Sequence, residues 1–349
     1  MPIKVLLDSS PLHNANAIRG VGVYTRFLSQ ALAKKKTEVE LMLAKKLDGS
    51  FKPDLIHYPF FDLFFPTLPL IKKGRTVVTI HDVIPLLYPQ FYKVGKRGRL
   101  SLVKQKLALK NVDAVITDSE SSKTDIAKHL GVKMEKIHVV PLAGNPEIKA
   151  PSDDTIKSTA RKYKLPQKYL LYVGDINYNK NLPQLIKTLK FLPKDIKLVC
   201  LGKNFFPQDI PEWQWIEAQI ALSDVAKRVK FITNLAGNDA LALSAIYAGA
   251  LAYIQPSIYE GFGLPILEAM SAGTPVICAD NSSLTEVTSR SAIVVEEAKA
   301  ENFAAGVEQV LVWKRTDRKK FIERASKHAA KFTWAKTAAA TIAVYRKII

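Results

Sequence analysis

Short apolar runs alternate with amphipathic segments along the whole 349-residue chain, and that rhythm limits the folds open to it. In the first half the runs are Ile3–Leu7, Val39–Leu43, Leu55–His57, Thr76–Ile80, Ala114–Thr117 and Ile137–Val140, with helical stretches such as Val23–Ala33 and Ser121–Leu130 between them. The second half repeats the pattern with Tyr169–Val173, Lys197–Leu201, Val229–Ile232, Leu251–Ile254, Val276–Ala279 and Ile293–Val295. Unbroken apolar runs separated by helices are the mark of parallel strands buried on both faces. Two consecutive sets of about six predict two doubly wound α/β domains, since a barrel needs one closed set of eight. Residues 145–168 are polar, hold three prolines and lack a strand, so they read as a linker with one short helix. The expected division is 1–150, 151–332, and a closing helix, 333–349, packed back on the first domain. Doubly wound sheets bind ligands beyond the carboxyl ends of their strands, so two such domains face to face predict a site in the cleft between them.

Composition narrows the partners. Lys and Arg number 51 against 32 Asp and Glu, a net charge of +19. Such a surplus favours nucleotide diphosphates, nucleic acid or an anionic membrane face. Hydrophobic residues at 48% and charged residues at 24% exclude a collagen-like, disordered or disulfide-stapled chain. Cys200 and Cys278 each lie inside an apolar run and are expected to be buried free thiols of a reducing compartment. MPIKVLLDSS is too short an apolar run for an export signal, and no stretch of about 18 apolar residues occurs. The expected location is the cytoplasm, or peripherally the inner face of its membrane.

The most specific segment follows the run Leu251–Ile254 and spans Glu260-Gly261-Phe262-Gly263-Leu264-Pro265-Ile266-Leu267-Glu268. Pro265 suits the first residue of a helix, and the glycines before it let backbone approach a ligand. Amides at a helix start point at an anion, which the dipole also favours. Glu268, one turn inside, then reaches hydroxyls attached to a bound phosphate, and a carboxylate accepts well from a ribose diol. Glu260 precedes the helix, where it can accept hydroxyls of a second sugar. The same residues also suit a plain Gly-Pro helix entry with two solvated glutamates.

The longer stretch PSIYEGFGLPILEAMSAGTPVICAD resembles the E-x7-E signature of retaining glycosyltransferases of the GT-B fold, family 4 in particular. The resemblance implies that Glu268 binds the nucleotide ribose, that Glu260 contacts the donor sugar, and that the amides of Gly261, Phe262, Gly263 and Leu264 hold the distal phosphate. Lys180, after the run Tyr169–Val173, matches the lysine of a basic pair that neutralises the diphosphate. The arginine common just after the glycine is Asp175 here, which leaves Arg19, Lys203 or the helix amides to compensate. By the same resemblance Gly20 and Gly22 belong to a first-domain loop approaching the donor, and His81 bonds the donor sugar near its reacting end. Asp82, Ser119 and Glu120 occupy rim positions where an acceptor is met. Base recognition is expected around Gly202-Lys203 and Phe231–Leu235.

The reaction so implied moves a hexosyl group from a nucleotide-diphosphate sugar to a hydroxyl of a glycan or lipid-linked glycan, with retained configuration and His81, Glu260 and Lys180 at its centre. HDVIPLLYP and FTWAKTA resemble mannosyltransferase-like members, which favours GDP-mannose as donor and leaves UDP-hexoses open. No Asp-x-Asp occurs, and no metal or other cofactor is expected. An epimerase of the same fold remains the alternative, although no extra acid or histidine group for elimination is apparent. A nucleic-acid binder is disfavoured because the basic residues are spread along the chain without a motif. Residues 1–150 are the more basic part, with 24 Lys and Arg against 13 Asp and Glu. Seven of these cations lie in Tyr92–Lys110, which holds no acid. There Leu100, Val103 and Leu107 form one helical stripe and Arg99, Lys106 and Lys110 another. Either the apolar stripe packs on the sheet, or the segment docks on an anionic membrane.

Overall fold

The computed structural model describes residues 1–349 other than Arg19, 46–50 and 237–238. Among the described residues, twelve strands form two all-parallel sheets of six. The first contains β1 (Ile3–Asp8), β2 (Val39–Ala44), β3 (Leu55–Tyr58), β4 (Arg75–Thr79), β5 (Ala114–Thr117) and β6 (Ile137–Val139), in the order β2-β1-β3-β4-β5-β6. The second contains β7 (Tyr169–Val173), β8 (Lys197–Leu201), β9 (Val229–Ile232), β10 (Ala252–Gln255), β11 (Val276–Ala279) and β12 (Ile293–Val295), in the order β12-β11-β10-β7-β8-β9. Every apolar run read from the sequence is a strand. Interior strands such as β5, β10 and β11 are buried at every position, whereas the edge strand β2 is not. That is why their sequences are continuously apolar rather than alternating.

The connections reverse direction between β1 and β3 in the first sheet and between β7 and β10 in the second. Such switch points leave a crevice beyond the strand ends, because the helices on either side leave in opposite directions. In the second sheet β7 and β10 pair directly, with Leu170 opposite Ala252 and Leu171 opposite Tyr253. Loops leaving these two strands are therefore neighbours.

Two compact units result, Met1–Leu142 with Phe332–Ile349, and Ala143–Lys331. Residues 143–150, placed with the first domain by composition, group with the second unit. There Ile148 is buried and the Lys149 amide donates to Ser244 Oγ at 3.3 Å. The short helix expected in the linker is Asp153–Lys162, capped by the Ser152 hydroxyl. The closing helix is Trp334–Ile348, and its contacts are with the first unit. Trp334 packs against Phe27 with ring centroids 5.4 Å apart, and Thr337 Oγ1 donates to Pro141 O at 2.8 Å. Cys200 and Cys278 are buried and unbridged. Among the described residues no helix is long and apolar enough to cross a membrane.

In the helix Lys96–Leu109 the first of the two alternatives for the apolar stripe does not hold. Its stripe of Leu100, Val103 and Leu107 does not pack on the sheet but stands 57%, 55% and 48% exposed. The buried face carries Ser101, Gln105, Ala108 and Leu109 instead. Gln105 decides the orientation: its Nε2 donates to Asp62 O at 3.0 Å and Thr67 Oγ1 at 2.9 Å, and its Oε1 accepts from the Leu68 amide at 3.4 Å. A buried amide fully bonded in this way anchors the polar side inward.

Candidate functional site

The switch point of the second sheet brings Lys180 and Glu260 together across 80 residues of sequence. Lys180 ends a single turn after β7, and Glu260 lies five residues beyond the end of β10. Lys180 Nζ donates to both carboxylate oxygens, at 2.7 and 2.8 Å, with the two side chains 21% and 8% exposed. Glu260 Oε1 also accepts from Ser257 Oγ at 2.6 Å and Gln255 Nε2 at 2.8 Å, and Tyr253 OH donates to Gln255 Oε1. The backbone is pinned as well. The Glu260 amide donates to Ser282 Oγ at 2.9 Å, and Ser283 Oγ donates to Glu260 O at 3.0 Å. Asn179 Nδ2 ties the two loops by donating to Tyr259 O at 2.9 Å. An ammonium has three N–H donors, so the partly exposed Lys180 has a third beyond the two it gives Glu260. The network's Gln255, Ser257 and Ser282 escaped the sequence reading, although Gln255 and Ser257 stand at the same strand end as Glu260.

The helix after Glu260 runs from Leu264 to Ser271, so Pro265 is its second residue rather than its first. Gly263 caps it at φ +98°, a left-handed conformation that favours glycine. Pro265 has no N–H, and the Ile266 amide bonds back to Gly263 O at 3.0 Å. The Gly263 and Leu264 amides thus stand at the helix start, where no preceding turn supplies their acceptors, and the Phe262 side chain is buried. Glu268 is partly buried on this helix. Tyr247 OH donates to its Oε2 at 3.2 Å and the Asn145 amide bonds to it as well, yet burial still pushes the carboxyl up to about 7. Asn145 also lines a cavity of about 130 Å³ with Gly202, Lys203, Thr233 and Leu235, at the carboxyl ends of β8 and β9. This is the region where base recognition was expected. The Asp175 carbonyl accepts from Tyr172 OH at 2.9 Å, and Arg19 lies outside the described residues.

In the first unit His81 and Asp118 follow β4 and β5, which pair side by side. His81 Nδ1 and Asp118 Oδ2 are 2.7 Å apart. Burial alone would lower the His81 pKa, but the charge and hydrogen bond of Asp118 outweigh it and hold the imidazole above its ordinary value. Its Nε2 is buried without a well-formed hydrogen bond among the described residues, and the Pro59 backbone adds a smaller push in the same direction as Asp118. The Tyr24 and His81 rings meet nearly at right angles with centroids 4.7 Å apart, and Tyr24 OH and Thr79 Oγ1 are hydrogen-bonded at 3.0 Å. Asp118 was missed in the sequence although it is the first residue after a strand. The rim positions look different in place. Ser119 is buried and its hydroxyl accepts from the Ser122 amide at 3.1 Å, capping the helix Glu120–Leu130, while Asp82 Oδ1 accepts from the Ile84 amide at 3.0 Å. Both oxygens are engaged in local structure, whereas Glu120 is exposed in the first turn of that helix. Gly20 begins the helix Gly20–Ala33 with open space where a Cβ would stand. At Gly22 a Cβ would come within 2.3 Å of Asn16 O, so that glycine is required by packing inside the unit.

Residues 154–328, half of the chain, match the family model for glycosyl transferases group 1. The chain belongs to this family. Residues 41–147 match a second model, glycosyltransferase family 4. Lys180, Glu260 and Glu268 of this group 1 glycosyltransferase fall within the first match, and His81 and Asp118 within the second. Among curated relatives it is 28% identical over 285 residues to O-antigen chain mannosyltransferase B of Escherichia coli, covering 79% of this chain and 71% of that one. It is 29% identical to O-antigen chain mannosyltransferase RfbU of Salmonella typhimurium, over 70% of this chain and 62% of that one. Against the serotype-specific mannosyltransferase WbdA of E. coli the match is 25% identical and spans only 38% of the relative. Solved structures share the fold. Sucrose-phosphate synthase from Thermosynechococcus elongatus superposes with a TM-score of 0.74 at 19% identity, covering 99% of this chain and 98% of that one. The lipopolysaccharide glycosyltransferase WaaG does so with 0.69 at 17%, covering 97% and 98%. Anabaena HepE, solved in complex with UDP-glucose, gives 0.72 at 17%, covering 99% and 100%. The group 1 glycosyltransferase thus has the GT-B fold, and it is a glycosyltransferase enzyme.

Proposed function

We propose that this glycosyltransferase moves a mannosyl group from a nucleotide-diphosphate sugar to a hydroxyl of a growing cell-envelope glycan, with retained anomeric configuration. The observation that carries the reading is the Lys180–Glu260 network beside the helix start at Gly263, with Glu268 one turn further on. These groups match in kind what a nucleoside diphosphate sugar offers. Glu268 accepts from the ribose diol, the Gly263 and Leu264 amides and Lys180 meet the diphosphate, and the base enters the cavity at Gly202 and Thr233. The remaining lone pair of Glu260 Oε2 accepts a hydroxyl of the donor sugar. The names of the O-antigen mannosyltransferase relatives support mannose and an O-antigen-like glycan acceptor, and the likeness of HDVIPLLYP and FTWAKTA to mannosyltransferase-like members favours GDP-mannose over a UDP-hexose.

In the transfer, the bond from the anomeric carbon to the diphosphate oxygen breaks and the acceptor oxygen bonds on the same face. The departing phosphate oxygen takes the acceptor's proton. Negative charge grows on the diphosphate, so Lys180 and the helix amides stabilise the transition state more than the ground state. His81, held by Asp118 in the first unit, has its role at the donor sugar from the resemblance to family 4 alone. No metal is required in this scheme.

Titration calorimetry with GDP and UDP, followed by a panel of nucleotide sugars with the product anomer read by NMR, tests it. Glu268→Ala is expected to weaken the preferred nucleotide about 10- to 100-fold, the worth of one or two charge-assisted bonds. Glu260→Gln is expected to leave nucleotide affinity nearly intact while lowering turnover. Equal nucleotide affinity in the parent and Glu268→Ala would remove the ribose assignment, and an inverted product would remove retention.

A further inference from the structure

We infer that the helix Lys96–Leu109 is a docking surface for an anionic lipid bilayer, into which Leu100, Val103 and Leu107 insert between two rows of cations. The inference rests on the proposed function only for its purpose, since a lipid-linked acceptor is met at such a surface. The surface itself is argued from the helix. At about 100° per residue, Leu100, Val103 and Leu107 fall within about 60° of one another. Arg97 and Lys104 lie along one side of that stripe and Arg99, Lys106 and Lys110 along the other, with Lys96 at its start. Tyr92–Lys110 contains seven cations and no acid.

A soluble helix places its apolar stripe inward and its polar residues outward. Here the three apolar side chains are 48–57% exposed, while Ser101 and Gln105 are buried. The inversion is built in, because the Gln105 bonds to Asp62, Thr67 and Leu68 leave no orientation in which the apolar stripe turns inward without orphaning the amide. The patch continues beyond the helix. Phe65 is 70% exposed, and a cavity of about 720 Å³ is lined by Phe64, Phe65 and Pro66 together with Arg97, Leu100 and Lys104. An apolar strip framed by cations matches the layered chemistry of an anionic leaflet, phosphates outside and acyl chains within. An acidic protein or a polyanion would satisfy the cations and leave the leucines in water.

Flotation of the full chain with vesicles tests this without any donor or acceptor. Phosphatidylglycerol–phosphatidylethanolamine vesicles are expected to carry the protein, phosphatidylcholine vesicles are not, and binding should fall steeply with salt. Lys96→Gln, Arg97→Gln and Arg99→Gln combined should weaken partitioning roughly a hundredfold. Leu100→Ser, Val103→Ser and Leu107→Ser combined should weaken it roughly tenfold or more even at low salt. As a control for total charge, Lys320→Gln, Arg324→Gln and Lys327→Gln on the helix Arg315–Ala329 should leave it within a fewfold of the parent. All these positions are on the surface, and circular dichroism confirms folding of each variant. Equal loss in the control set, or no effect of the serine set, overturns the proposal in favour of general electrostatics. Self-association in sedimentation velocity that disappears with the serine set overturns it in favour of a second copy of the chain. Vesicle binding with no transfer to any acceptor would count against the proposed reaction and leave the surface standing.

Discussion

Glu268 faces two demands that pull in opposite directions. As an acceptor for a ribose diol it works best ionised, yet burial drives its carboxyl up to about 7, against the opposing bonds from Tyr247 and Asn145. An acid whose pKa is higher in the folded chain than in the unfolded one takes up a proton on folding. Its contribution is therefore favourable in acid and is lost as pH rises from the unfolded value of about 4.5 to about 7. The span corresponds to at most about 3 kcal/mol, less for a side chain only partly buried. Glu268→Gln is thus expected to match the parent in urea denaturation near pH 4.5 and to exceed it by about 1–3 kcal/mol at pH 8. Over pH 6 to 8 the parent's nucleotide affinity should rise while that of Glu268→Gln stays flat. A variant no more stable than the parent at pH 8 would show that the empty site carries no such penalty. The position of Glu268 was legible, because a glutamate one turn inside a Gly-Pro helix start is a local pattern. Its raised pKa was not, because burial sets it, and burial depends on packing by segments distant in the sequence. Lys180 and Glu260 repeat the lesson: each was singled out for a ligand, and their direct bond emerges only from the pairing of β7 with β10.

Among the elements, the closing helix Trp334–Ile348 does more than cover a surface. Tyr345 OH bonds His57 Nδ1 at 2.7 Å, His57 Nε2 bonds Thr79 Oγ1 at 2.8 Å, and Tyr24 OH completes the chain before its ring meets His81. Burial lowers the His57 pKa to about 3, so the imidazole is neutral and gives one hydrogen while taking another. Tyr345→Phe removes one partner and leaves a buried ring nitrogen unpaired. The expected cost is about 1–3 kcal/mol of stability, read by thermal or denaturant unfolding. Nucleotide affinity, which the proposed function assigns to residues of the second unit, should be unchanged. A silent Tyr345→Phe would mean that water replaces the hydroxyl. Helical periodicity announced this element and the amphipathic helix Lys96–Leu109 alike. What periodicity leaves open is which stripe faces inward. For Lys96–Leu109 the answer came from Gln105, whose partners at 62–68 lie far back in the chain.

Across the whole molecule, the proposed chemistry needs positive charge opposite a departing diphosphate, and the chain supplies it from its own groups. Lys180 brings an ammonium group positioned by Glu260, and the helix start at Gly263 adds its first amides with the dipole behind them. The position where the family pattern has an arginine is Asp175, so Lys180 stands alone in its loop and its removal should be felt strongly. Transfer is therefore expected to persist at the parent rate in EDTA, and Lys180→Ala to lower kcat by about 100- to 1,000-fold, the range for losing one preorganised donor to a developing anion. Lys180→Ala also strands Glu260 without its cation, so its folding must be checked. Lys180→Gln, which keeps a hydrogen bond to the carboxylate, separates the two effects: it should fold like the parent and still lose most of the rate. If EDTA abolishes transfer and Mg²⁺ or Mn²⁺ restores it, a metal ion carries the charge that is here assigned to Lys180. If Lys180→Gln folds normally and keeps full activity, the charge comes from another part of the chain and the lysine serves only to hold Glu260.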